Sequence, residues 1–102
     1  MRLRDVLDEA ASDVPDLETQ VEPGGVVWST GGRAFAALVK DGVAAEFGLD
    51  PAVGAAAAST PDVEPSSRGA GWVRFSPGVL DDHGVDRARA WFASAHRRAS
   101  RG

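Results

Sequence analysis

The chain has 102 residues, a net charge of −4 and no cysteine. This length fits one domain, residues 1–102, around one hydrophobic core, and the missing cysteine excludes disulfides, thiolate nucleophiles and Cys-based metal sites. The acidic balance disfavours a protein that coats nucleic acid through bulk positive charge.

The first predicted element is an amphipathic helix. Leu3, Val6 and Leu7 recur at helical spacing, and Pro15 ends the helix because proline disfavours the helical conformation of the residue before it. The segment meets its first acid at position five and contains no continuous apolar run, so we expect no signal peptide. The alanine-rich run "AVGAAAAS" is too short to span a bilayer. Together with the absence of cysteine, these features predict a cytoplasmic protein that is not bound to a membrane.

Three antiparallel strands are predicted next, at 26–29, 33–40 and 43–49. A glycine pair, Gly31-Gly32, separates the first two strands, and Asp41-Gly42 favours a tight type I′ hairpin between the last two. In the third strand apolar residues alternate with a set that includes Glu46, which predicts one buried and one more open face.

A second helix is predicted after these strands, followed by a long loop and a further strand. Asp50 is the predicted N-cap, and Gly54 in the helix interior suggests close packing on the sheet. Val63 is compatible with a short edge strand that Pro65 limits. In "GWVRFS" the period of two places Val73 and Phe75 on one face, and Trp72 and Arg74 on the other.

A final helix is predicted over "DDHGVDRARAWFASAHRRAS", with acids at its start and arginines at its end, as the helix dipole favours. Consecutive hairpin strands with helices before and after them indicate an α+β two-layer sandwich with an antiparallel sheet. The expected order is α-β(3)-α-β(1-2)-α, with the aromatic residues Trp28, Phe35, Phe47, Trp91 and Phe92 in the core.

The segments "GRAFAALVKDGVAAEFGLDP", "VEPSSRGAGWVRFSP" and "DDHGVDRARAWFASAHRRA" resemble the MmcQ/YjbR-like family. The similarity covers most of the chain from about Gly32, and its motifs are framework positions. The resemblance implies a small domain of the α-β(3)-α-β(2)-α kind. Members have been described as DNA-binding-like because of a double-wing shape, so the resemblance also implies DNA as a partner. The acidic balance of this chain departs from that expectation.

Two other patterns suggest chemistry but have simpler explanations. Gly69-Ala70-Gly71 is followed by a strand, whereas a phosphate-binding loop leads directly into a helix, so we interpret these glycines as a turn. The group at 81–86 contains three aspartates and His83, yet helix capping and the helix dipole explain the acids. Neither a metal nor a cofactor is therefore predicted, and no catalytic residues are predicted.

The pair Trp72 and Arg74 is the best candidate for a site, together with Arg68. An exposed indole beside a guanidinium is able to stack on a base while the cation contacts a phosphate. The alternative is that Trp72 covers the sheet and Arg74 pairs with Glu46 across strands.

Further cations lie elsewhere in the second part of the chain. Residues 66–102 carry seven basic and three acidic side chains, against four and twelve in 1–65. Such an asymmetry can mark a local anion-binding face, but at this modest size the favoured explanation is that the two parts neutralise each other in the fold. Arg97, Arg98 and Arg101 are the predicted auxiliary phosphate contacts.

The sequence therefore predicts a non-enzymatic binding domain, and the family resemblance implies DNA as its partner. A protein-interaction module with no nucleic-acid role, anchored by Trp72, is the alternative.

Overall fold

The computed structural model describes residues 1–101, which form two layers, a six-stranded antiparallel sheet and a layer of helices. The order of strands across the sheet is β1-β2-β3-β4-β6-β5. This architecture confirms the predicted α+β class. In chain order the elements are α1 (Leu3–Ser12), β1 (Glu18–Glu22), β2 (Gly25–Thr30), β3 (Arg33–Val39), β4 (Ala44–Gly48), α2 (Pro51–Ala58), β5 (Val63–Pro65), β6 (Trp72–Phe75) and α3 (Asp82–Arg101).

Strand β1 is an addition to the three strands predicted before α2. It pairs with β2 along its full length, from Glu18 opposite Ser29 to Glu22 opposite Gly25. Every side chain of β1 is exposed, so the alternation of buried and exposed residues that reveals a strand in a sequence is missing here. The strand forms against the edge of β2 without adding a buried row to the core.

A bulge between β2 and β3 determines how the aromatic core is filled. The register slips by one residue next to Trp28, which leaves Phe35 without a partner across the strands. The extra residue allows Phe35 to join Trp28 on the helix side, since a bulge interrupts the strict alternation of faces. Both rings meet Phe92 of α3 edge to face, at 5.2 and 5.5 Å between centroids.

The predicted aromatic core is confirmed. Trp28, Phe35, Phe47 and Phe92 are buried, and Trp91 is half-buried against the core. Helix α3 lies across the central strands, and α1 packs beside α3.

The β3–β4 connection differs from the predicted type I′ hairpin. Strand β3 ends at Val39 and β4 begins at Ala44, with a 3₁₀ turn at Lys40–Gly42 between them. All three residues of this turn have positive φ, at 53°, 58° and 93°. The N–H of Asp41 donates to the carbonyl oxygen of Gly24 at 2.8 Å, so the longer turn is tied to the β1–β2 turn beside it.

Strand β4 is buried on both faces, and the prediction of one open face was wrong. All five residues Ala44–Gly48 are buried. The strand lies between β3 and β6, and Phe47 contacts Trp91 of α3 on one side. On the other side, Glu46 is covered by residues of the β5–β6 connection and of β6.

The helix ends agree with the predicted caps in position. The Gly84 N–H donates to Asp81 Oδ1 at 2.8 Å at the start of α3. Asp50 occupies the N-cap of α2, but its side chain makes no capping hydrogen bond. Within residues 1–101, no helix combines the length and the hydropathy that crossing a membrane requires.

Gly54 allows α2 to lie close to the β5–β6 connection. A Cβ at this position would be 2.7 Å from the carbonyl oxygen of Gly71 and 3.0 Å from its Cα. Gly in a helix interior costs about 1 kcal/mol relative to Ala. Replacing Gly54 with Ala would therefore improve helix propensity. The backbone atoms of Gly71 oppose this gain, because they cannot move aside as a flexible side chain would.

We therefore expect Gly54→Ala to lower the free energy of unfolding by about 1–3 kcal/mol, as overpacked sites do. Urea denaturation measures this change. The control is Ala55→Gly, an exposed position of the same helix, which should lose about 1 kcal/mol through helix propensity alone. A Gly54→Ala protein more stable than the wild type would contradict the close contact.

Candidate nucleic-acid interface

Trp72 and Arg74 lie on the same face of β6, as the alternation predicted. Val73 and Phe75 are buried in the core, whereas Trp72 and Arg74 are half-buried on the opposite face. The two side chains are thus brought together, but they do not project freely into solvent. Each has neighbours from the same chain.

The neighbour of Arg74 is the buried carboxylate of Glu46, which is 3% exposed. The two residues face each other across β4 and β6. Arg74 Nε donates to Glu46 Oε2 at 3.1 Å, and Arg68 Nε donates to Oε1 at 2.6 Å. Ser66 Oγ also donates to Oε2, at 2.7 Å. The cross-strand pairing considered as the alternative for Arg74 is therefore present, and Arg68 shares its acceptor.

These donors keep Glu46 ionised in a site that disfavours charge. Burial by itself would raise the pKa of Glu46, because removal from water destabilises the carboxylate. Hydrogen bonds from Arg68, Ser66 and Arg74 act in the opposite direction and outweigh burial, so the pKa of Glu46 lies below its ordinary value of 4.5.

Trp72 lies between the sheet and Arg68. Its indole covers Gly48, where a Cβ would approach ring atom Cε2 to 2.8 Å. The guanidinium carbon of Arg68 lies 5.7 Å from the centre of the indole, within the range of a cation–π contact. Because β4 carries no side chain at Gly48, the indole is able to lie flat against the sheet, and Arg68 covers part of it.

Three arginines line a cleft at the same end of the sheet, and we call it the arginine cleft. Arg33 at the start of β3 and Arg98 and Arg101 at the end of α3 surround a volume of about 260 Å³. Arg98 Nε donates to Asp50 Oδ1 at 3.1 Å, and an Arg101 terminal nitrogen donates to Oδ2 at 3.2 Å. One carboxylate therefore serves two guanidinium groups.

Gly48 connects the two groups of predicted site residues. It lines the arginine cleft, and the indole of Trp72 lies against it. Arg68, Trp72, Arg98 and Arg101 are thus gathered at one end of the sheet. Arg74 lies further along β6, opposite Glu46.

Arg97 precedes Arg98 in α3 and is exposed, and within residues 1–101 it makes no ion pair. Arg33 is not among the predicted site residues, and Asp50 is predicted only as a helix cap. Nothing in the sequence indicates that these two residues meet the end of α3.

A second cleft of about 550 Å³ adjoins the first and contains a Ser–His pair. Ser100 Oγ lies 3.2 Å from His96 Nε2, but the hydroxyl also lies 2.8 Å from the carbonyl oxygen of His96, to which it donates. This is the local bond that a serine makes to the preceding turn of a helix. Helix geometry therefore explains why Ser100 lies beside His96. A serine that acts as a nucleophile would in addition need a histidine base oriented by a third group.

Comparisons with known proteins identify the fold alone. No protein-family model matches the chain, and no curated protein matches it. A crystal structure of a protein from Pseudomonas syringae, a target of the Northeast Structural Genomics Consortium, is similar, with a TM-score of 0.71. The alignment covers 97% of this chain and 99% of that one, at 12% sequence identity. The two proteins share an architecture.

The Glu46 cluster predicts a pH-dependent loss of stability. Glu46→Gln removes the charge that Arg68 and Arg74 share, and we expect the free energy of unfolding to fall by about 2 kcal/mol at neutral pH. Because the pKa of Glu46 is lower in the folded chain than in the unfolded chain, the stabilisation is fully present above pH 4.5 and is lost as the pH falls through the lowered value. Denaturation of the wild type and of the Glu46→Gln variant at a series of acid pH values measures this loss. The difference between their free energies of unfolding should become smaller as the pH falls.

The matched control is Glu64→Gln. The Glu64 side chain is 67% exposed, and its Oε1 lies 3.9 Å from a terminal nitrogen of Arg74. An exposed pair of this kind contributes about 0–1 kcal/mol. Equal losses for the two variants, or a Glu46→Gln difference that does not change with pH, would contradict the assignment.

Proposed function

We propose that the protein is a non-enzymatic DNA-binding domain of the MmcQ/YjbR-like kind, which acts without metal or cofactor in the cytoplasm. The observation that carries the proposal is the arginine cleft, where three guanidinium groups surround one small volume in a chain of net charge −4. A cleft of this composition suits one phosphate of a DNA backbone, because the guanidinium fork matches phosphate geometry.

The charges around the cleft favour an anion. Arg98 and Arg101 share the single carboxylate of Asp50. These two guanidinium groups and one carboxylate together keep one positive charge. Both arginine side chains are well exposed, at 41% and 66%, and a ligand can approach them from solvent. Arg97 adds an exposed cation on the same helix end. A second phosphate along the backbone is the proposed contact of Arg97.

Trp72 and its neighbours have a different part in the proposal. The indole lies on the Glu46 face of the sheet, against Gly48, and its partly exposed aromatic surface is the proposed contact for a sugar or base. Arg68 and Arg74 are committed to Glu46, so we propose that they mainly hold the indole and the β5–β6 connection in place. The same partly exposed indole is the anchor of the alternative function, a protein interaction with no nucleic-acid role.

A salt titration tests the proposal. Fluorescence anisotropy with a labelled random-sequence duplex should show binding that weakens steeply between about 50 and 200 mM salt, because released counterions drive such binding. Arg98→Gln combined with Arg101→Gln should reduce the slope of log K against log salt by about one, because the two arginines are proposed to contact one phosphate.

Two further variants sharpen this experiment. Asp50→Asn removes the competing carboxylate and should tighten binding about fivefold at low salt. Arg89→Gln is the matched control, because Arg89 pairs with Glu9 and lies about 13 Å from Arg98 along α3. No binding at the lowest salt, or equal losses for the Arg89 control and the cleft variant, would overturn the proposal.

A further inference from the structure

Strand β1 gives the sheet an unpaired edge. In residues 1–101 β1 pairs with β2 alone, and its five residues are exposed throughout. Alternate residues of an edge strand direct their N–H and C=O groups away from the sheet, so another extended chain is able to pair with them. Strand β1 contains no proline that would remove a donor.

The opposite edge is a poorer template. Strand β5 has three residues, Val63–Pro65, and ends on a proline that has no N–H. A short edge strand with proline is a common protection against pairing with other chains. The two edges therefore differ, and β1 offers the longer row of donors and acceptors.

The charges of β1 specify which chain fits. Glu18 lies opposite Ser29, Gln20 opposite Val27 and Glu22 opposite Gly25, which places the three side chains on one face of the sheet, the face of Glu46. Thr19 and Val21 lie on the other face, and Val21 is 80% exposed. A partner strand would thus meet acids on one side and an uncovered valine on the other.

We infer that the β1 edge binds an extended segment of another protein in which Lys or Arg alternates with apolar residues. Lysines opposite Glu18 and Glu22 form favourable cross-strand pairs, and the apolar positions cover Val21. A second copy of this chain is a poor occupant, because antiparallel pairing of two β1 strands places glutamates opposite one another. This inference is independent of DNA binding, since it uses none of the arginines at the cleft.

The test uses two short synthetic peptides, one alternating Lys with Val and the other Glu with Val. The wild-type protein should bind the Lys peptide about tenfold more tightly than the Glu peptide, because each glutamate contributes one attractive or one repulsive pair. On binding, hydrogen exchange measured by NMR should slow at the amides of β1.

Glu22→Lys tests the specificity at an exposed position. This variant should abolish the preference for the Lys peptide. Asp8→Lys makes the same change of charge at an exposed position of α1, and it should keep the preference. Equal binding of both peptides, no binding, or slowed exchange at β5 or at the cleft in place of β1 would overturn the inference. A dimer of the free chain formed through β1, detected by sedimentation, would also overturn it.

Discussion

The carboxylate of Glu46 lies in the middle of the sheet, and the residue is only 3% exposed to solvent. A buried charge of this kind is tolerated only with partners, and it receives them from Ser66, Arg68 and Arg74. Two of these donors belong to the connection between β5 and β6, so the need to solvate one carboxylate brings that connection back onto the sheet. Arg68 then lies over Trp72, and the indole rests against Gly48.

This constraint also explains the role of the glycine-rich segment. Gly71 is followed directly by β6, and the N–H of Trp72 donates to the carbonyl oxygen of Gly69 at 3.2 Å. The segment therefore forms a turn, as its sequence context predicted, and leaves its phosphate-loop interpretation without support. Its function in the fold is to return the chain toward Glu46 within a few residues.

Much of the fold was predictable because its signals are local. The spacing of apolar residues in α1 and α3, the helix cap at Asp50 and the alternation in β6 each depend on neighbours in the sequence. Strand β1 was missed because none of its side chains is buried, and periodicity measures burial. The bulge at Phe35 and the double burial of β4 depend on residues far away in the chain, so no local pattern contains them.

The candidate site also contains contacts that local sequence patterns suggest and contacts that they do not. The pairing of Arg74 with Glu46 could be considered from the sequence because both lie in predicted strands. The contact of Asp50 with Arg98 and Arg101 joins residues 48 and 51 positions apart, and the sequence offers only charges of opposite sign. The cleft itself arises from three elements that end at the same place.

Asp50 has two sets of potential partners. The two arginines of α3 hold its carboxylate. Asp50 is also the N-cap residue of α2, where such a side chain usually accepts hydrogen bonds from the N–H groups of the first turn. An anion that took over the arginines would release this carboxylate within reach of those amides. Part of the interaction lost at one helix end would be regained at the start of the other, so the exchange of counterions would be less unfavourable than breaking an ordinary ion pair.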